Sequence, residues 1–390
     1  MRRMPVKFEF AAPGRIVFGS GVLPQAAELM RGWGRRGLVV TGRDPGRAEL
    51  LLDMLRAGGL EAGVFRVEGE PTTETVRAGT ARATEMGAEW VVGFGGGSPL
   101  DAAKAIAALA ANGGDPLDYM EVVGRGRPLT RPSLPMLAVP TTAGTGSEAT
   151  KNAVLASPEH EGVKASMRSL GMIPRIALVD PALTVSVPSA VTAATGLDAL
   201  TQLIEPFTCN RPNHVVDPLC RDGVVRVARS LRRAWAEGGD AAAREDMALA
   251  SLYGGLALAN AGLGVVHGFA GVVGGMFKAP HGAVCAALLP PAMAMNRRAL
   301  KERHPENPVL ARYDEVACRL TGRTGATAAD GVEWVRALTA DLGVPGLSAC
   351  GMTRNDIPGV VEKVAVASGT RANPVELTRE ELAEILAAAL

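Results

Sequence analysis

At 390 residues the chain is longer than a single hydrophobic core ordinarily grows, so two domains are expected. Its 41 basic and 40 acidic residues nearly cancel, which argues against a nucleic-acid or membrane-surface partner and leaves small molecules as the expected ligands. With 47 glycines, 4% aromatic residues and no segment long and apolar enough to span a bilayer, the composition is that of an Ala/Gly/Val-rich α/β protein.

The opening stretch, MRRMPVKFEF, has two arginines but no apolar run behind them, so it does not read as a secretory signal. The five cysteines (Cys209, Cys220, Cys285, Cys318, Cys350) are scattered and never form a CxxC pair. They read as free thiols in a reducing cytoplasm, without zinc-knuckle spacing. GLVVTG (37–42), EAGVFRV (61–67), EWVVGFGGG (89–97) and PMLAVPTT (135–142) predict buried strands. Between them, RAELLLDMLRAGG and TTETVRAGTARATEMGA carry apolar or alanine positions at helical spacing, so the order implies a parallel sheet with right-handed crossovers. After RIALVDPALTVSVP the β signal fades. SAVTAATGLDALTQLIEPF, CRDGVVRVARSLRRAWAEG, REDMALASLYGGLALANA and the capped TREELAEILAAAL predict helices. The expected architecture is an α/β nucleotide-binding domain with a parallel sheet over residues 1–188, then an all-helical domain over 189–390, divided near Pro188.

In the first half, GFGGGSPLDAAKAI (93–106) sits where a strand gives way to a helix. Gly95, Gly96 and Gly97 let backbone N–H groups approach a ligand, Ser98 reads as the N-cap, Pro99 as the first helical residue and Asp101 as the partner in a capping box. Such a helix start attracts phosphate, although a plain tight turn is the alternative, and the pattern is not G-x-G-x-x-G. A second loop, VPTTAGTGSEAT (139–150), also follows a strand. Thr141, Thr142, Thr145 and Ser147 could hydrogen-bond a cofactor, and the two loops together point to a dinucleotide at the carboxyl ends of the strands.

In the helical half, Asp198 and Gln202 of GLDALTQLIEPF (196–207) are spaced to share one helix face, as half of a metal site or as a cap and its neighbour. His267 and His281 are 14 residues apart, about 21 Å on one continuous helix. Pro280 allows a turn at KAPHG, after which both imidazoles could converge on Asp198 and Gln202.

GGGSPLDAAKAI, PTTAGTGSEAT, IPRIALVDPALT, ATGLDALTQLIEPF and APHGAVCAALLP together resemble the iron-containing (group III) alcohol dehydrogenases, a family similar to maleylacetate reductases, glycerol dehydrogenase and dehydroquinate synthase. The resemblance runs over nearly the whole chain. It implies the dehydroquinate synthase-like fold, with NAD or NADP and a divalent iron or zinc ion in a cleft between the domains. It also implies a small alcohol or aldehyde substrate and a cytoplasmic homodimer. By position it puts the pyrophosphate on Gly95, Gly96, Gly97 and Ser98, with Asp101, Thr141, Thr142, Lys164 and Leu183 lining the rest of the cofactor site. It assigns Asp198, His267 and His281 to the metal, with the two histidines as the candidate catalytic groups.

Two departures stand out. Gln202 occupies the position of a third histidine ligand, and a neutral amide is a weaker donor than imidazole, so affinity should drop or selectivity move, and the metal be weakly bound or absent. Gly271 replaces a further histidine often assigned to proton relay. In VVTGRDPGR (39–47) Gly42 stands where the family often has an acidic residue against the adenosine ribose, and Arg43 follows, so NADPH is expected to be accepted. Asp44 is the competing ribose partner.

The expected activity is reversible hydride transfer between an alcohol and the nicotinamide, with the metal as Lewis acid. Without metal, hydrogen bonds from His267 or His281 would have to stabilise the substrate oxygen. The alternatives are a metal-independent maleylacetate-type reductase using Lys278 or the cations of RGRPLTR, a dehydroquinate synthase-like lyase, and a non-catalytic nucleotide-binding protein.

Overall fold

The computed structural model describes residues 7–390; the first six, which carry both arginines of the opening stretch, lie outside the described residues. The first half holds β1 (Arg15–Phe18), α1 (Ala26–Leu29), β2 (Arg36–Thr41), α2 (Glu49–Ala57), β3 (Glu61–Arg66), α3 (Thr73–Glu85), β4 (Trp90–Gly95), α4 (Gly97–Asn112), α5 (Pro116–Tyr119), β5 (Met136–Pro140), β6 (Asn152–Ser157), β7 (Val163–Arg168) and β8 (Ile176–Val179). Six strands form one parallel sheet in the order β1-β8-β5-β4-β2-β3. Strands buried on both faces need continuous apolar runs, and β4 and β5 are buried at every position. Alternate side chains serve opposite layers: Leu38, Val91 and Ala138 face the α3/α4 core, while Val39, Val92 and Val139 face the α1/α2 core.

Strands β6 and β7 form an antiparallel hairpin outside the main sheet, an element the sequence reading did not anticipate. Its burial alternates rather than running continuously, so it lacks the buried-strand signal that exposed the others. The edge strand β1, with only four residues, was likewise not anticipated.

Among the described residues the second half contains helices and no strand: α6 (Ser189–Thr208), α7 (Val216–Ala236), α8 (Ala241–Asn260), α9 (Val265–Phe277), α10 (His281–Arg303), α11 (Val309–Thr321), α12 (Ala328–Asp341), α13 (Ile357–Ala365) and α14 (Arg379–Ala389). Their facing residues make one core, from Leu197 and Leu200 on α6 to Ile385 and Leu386 on α14. Helix α6 is central, which is why its polar residues Asp198, Gln202 and Glu205 are buried. Thr378 and Glu381 form the expected capping box that starts α14.

Candidate active site

Gly95 and Pro140 are neighbours in the β4–β5 register, so the two glycine-rich loops leave the sheet side by side. Thr141 N–H donates to Gly95 O at 2.9 Å and ties the second loop to the first. Gly95 has φ +151°, which non-glycine residues rarely adopt, and a Cβ there would stand 2.7 Å from Pro99 Cγ. A Cβ on Gly96 would approach Thr142 Oγ1 to 3.1 Å, and one on Gly97 would meet Thr145 Cγ2 at 2.9 Å. The gap between the loops therefore exists only because both residues lack side chains. The two loops form a glycine cradle at the start of a helix, where free N–H groups attract phosphate.

The local capping differs from the expectation. Helix α4 begins at Gly97 with Gly96 as N-cap and no side-chain cap, so Ser98 and Pro99 already lie inside the first turn. The unhindered backbone turns into the helix two residues early, and no side chain of the loop takes the first N–H groups. Asp101 is no capping partner. Its carboxylate accepts from Ser147 Oγ at 2.5 Å and Val154 N–H at 2.9 Å, and pairs with Lys104 Nζ at 2.9 Å. Asp101 and Ser147 thus brace the loops against each other.

Beneath them Lys104 is fully buried and donates to Ser147 O, Thr150 Oγ1 and Asn152 O. Burial pushes its ammonium pKa down, against the pull of Asp101 and Glu148. Burial also lifts the Glu148 carboxyl to about 7, although Lys104 pulls it down.

At the end of β2, Gly42 lies beside α4: a Cβ there would touch Pro99 Cγ at 3.8 Å, an ordinary contact. Arg43 is exposed. Asp44 is turned to its own backbone, accepting from Gly46 N–H at 3.0 Å as the cap of the next turn. Leu183 follows β8 and is half-buried against the α1/α2 core. Lys164, on β7, pairs with Glu70 at 3.0 Å and reaches α9, where a Cβ on Gly274 would stand 3.2 Å from its Nζ.

The helical half brings the remaining candidates together. Helix α9 ends at Phe277, Lys278 turns the chain with φ +51°, and α10 starts at His281 behind Pro280. The imidazoles of His267 and His281 come to 5.5 Å between centroids. Their Nε2 atoms lie 3.6 and 3.7 Å from Asp198 Oδ1. Gln202, one turn along α6, donates through Nε2 to Gly144 O at 3.1 Å, linking the cluster to the second loop.

Asp198 Oδ1, Gln202 Oε1 and His267 Nε2 are buried with no hydrogen-bond partner among the described residues. Three orphaned atoms of this kind are costly unless a cation or proton sits among them. Bonds of about 2.0–2.3 Å place neighbouring ligands of a tetrahedral ion roughly 3.3–3.8 Å apart, so the separations fit a divalent metal. The electrostatics agree. Burial opposes a charged His267, yet Glu205 and Asp198 raise its pKa to about 10. Burial also pushes Asp198 up, but His281 and His267 hold its carboxyl below the usual range. The cluster demands positive charge.

Two residues here were missed in the sequence. Glu205 Oε2 lies 2.6 Å from His267 Nδ1, and its Oε1 accepts from Val266 N–H at 2.7 Å. It is seven residues after Asp198 on the same face of α6, a spacing that could have revealed it. Cys285, four residues after His281, joins Asp198, His267 and His281 in one group whose ligand atoms all lie within 4.8 Å of one another.

Comparison with known proteins places these features in a family. The iron-containing alcohol dehydrogenase family matches residues 13–181, and its Fe-containing alcohol dehydrogenase C-terminal part matches residues 192–390. The 1,3-propanediol dehydrogenase of Klebsiella pneumoniae is 34% identical over 97% of both chains. The NAD-dependent methanol dehydrogenase of Bacillus methanolicus is 31% identical over 98% of this chain and 99% of its own. A crystal structure of 1,3-propanediol oxidoreductase superposes with a TM-score of 0.90 at 33% identity, covering 99% of this chain and 100% of that one.

Proposed function

This chain belongs to the iron-containing alcohol dehydrogenase family, and we propose that it transfers hydride reversibly between a small alcohol and a nicotinamide dinucleotide in the cleft between its sheet and its helices. One observation carries this reading: three orphaned buried donor atoms, on Asp198, Gln202 and His267, lie one hydrogen bond from the loop that borders the glycine cradle.

Gly96, Gly97 and the first N–H groups of α4 would receive the pyrophosphate, with Thr142 and Thr145 across the gap. Asp198, His267 and His281 would hold the cation, and Glu205 fixes the His267 tautomer that leaves Nε2 facing Asp198. When bound, the divalent ion supplies a Lewis acid that favours alkoxide over alcohol, and the dinucleotide supplies the hydride acceptor. A Cβ added to Gly271, one turn after His267, would meet no atom within 4 Å, so this face of α9 leaves room for substrate.

Arg43 beside an uncharged Gly42, with Asp44 occupied as a cap, supports acceptance of NADPH. We place the domain division near Pro188 and take a homodimer as the assembly, for which the single-sided pairing of edge strand β1 offers a surface. No observation favours the maleylacetate-type reading. Arg125 and Arg127 of RGRPLTR both pair with Asp118, and Lys278 is exposed at a turn.

The test is to follow NAD(P)H absorbance against a panel of alcohols and aldehydes with the chelator-stripped and metal-reloaded protein. Metal-dependent turnover is expected; none with any substrate would overturn the reading.

A further inference from the structure

The metal-site reading leaves one buried nucleophile beside the cluster unused. Cys285 is completely buried on α10, one turn after His281 and on the same face, with Sγ 3.7 Å from His281 Nε2. Its sulfur also lies within 4.8 Å of the Asp198 and His267 ligand atoms. The sulfur thus lies beside the orphaned atoms of Asp198 and His267.

The amide of Gln202 is a poor fourth ligand: its Nε2 is held by Gly144 O, and an amide oxygen is a weaker donor toward zinc or iron than a sulfur. A cation entering the group would bind the Cys285 sulfur in place of its proton.

We propose that Cys285 is a metal ligand, so that the set in this chain is Asp198, His267, His281 and Cys285, with Gln202 Oε1 the weaker and replaceable donor. The inference rests on the metal-centre reading above and adds a thiolate to it. The sulfur donor compensates for the absent histidine and moves the preference from iron toward zinc, since thiolates favour softer ions than carboxylates and amides do.

Cobalt(II) reports both metal binding and sulfur ligation by absorption. The full-length protein, stripped with chelator and titrated with cobalt, is expected to show tetrahedral ligand-field bands together with a thiolate-to-cobalt charge-transfer band in the near ultraviolet. Cys285→Ser should abolish the charge-transfer band. It should also weaken zinc binding, measured by competition with a chromogenic chelator, by more than the roughly 10–100-fold that loss of an outer partner costs. Gln202→Ala should keep the band. Cys285→Ala serves as a second variant, with circular dichroism checking that each remains folded. Ligand-field bands without the charge-transfer band would overturn the cysteine assignment alone. Failure to bind cobalt or zinc at all would overturn the metal centre with it.

Discussion

Glu205 clamps His267 from behind, its Oε2 2.6 Å from Nδ1, while its Oε1 accepts from the Val266 N–H at the start of the same helix. One carboxylate thus caps α9 and sets the imidazole tautomer. Glu205→Gln preserves the shape but loses the charge. Zinc affinity by chelator competition is expected to fall about 10–100-fold, while Asp198 remains in place. Unchanged affinity would make Glu205 a helix cap only.

The glycine cradle predicts a selective loss. Gly96→Val places a branched side chain in the gap where the Cβ alone already approaches Thr142 Oγ1 to 3.1 Å. Cofactor binding by NAD(P)H fluorescence titration should disappear while circular dichroism stays native. Binding as tight as the parent would reduce the triple glycine to a turn.

Cofactor choice is predicted to lie at the end of β2. The 3.8 Å contact with Pro99 leaves room for an aspartate at residue 42. Gly42→Asp should shift selectivity toward NADH, and Arg43→Ala should lower kcat/KM for NADPH about tenfold through loss of a charge-assisted bond. A parent that rejects NADPH outright would contradict the assignment.

Glu148 predicts a pH dependence of stability. Its folded pKa, about 7, lies above the ordinary 4.5, so between these values the native state holds more protons than the unfolded one. Stability is therefore full below 4.5 and declines as pH rises from there through 7, by on the order of 3 kcal/mol. Glu148→Gln should flatten this part of the profile of melting temperature against pH. An identical slope in the variant would place the dependence elsewhere.

Gly271 lies inside α9 at a point where an added Cβ meets nothing. Gly271→Ala should raise stability by about 0.5–1 kcal/mol in denaturant melts, because glycine is a poor helix former. Gly271→His, on the His267 face, should alter the pH profile of kcat by adding a titratable group beside the substrate. A profile identical to the parent's would show that this face does not border the substrate.

The parallel sheet was legible because its inner strands are continuous apolar runs, as in WVVGFG of β4. The convergence of His267 and His281 could be anticipated from Pro280, which forces a new helix. The hairpin β6–β7 escaped because only alternate residues of β6 are fully buried. Ser98 was misread as a cap because propensity favours serine, whereas the neighbouring glycines let the helix start earlier. Glu205 and Cys285 lay at helical spacing from recognised candidates, but their part in the cluster depends on how α6, α9 and α10 pack, which no local pattern encodes.

The most direct measurement is the turnover of Asp198→Asn against the parent, both reloaded with zinc or iron(II), followed by NAD(P)H absorbance with primary alcohols and their aldehydes. Asp198 is the residue on which both imidazoles converge, at 3.6 and 3.7 Å. The account predicts that the parent turns over, and that the variant loses at least about 100-fold in kcat together with its metal while still binding NAD(P)H. A variant as active as the parent, or a metal-loaded and cofactor-bound parent that reduces no aldehyde and oxidises no alcohol, would contradict it.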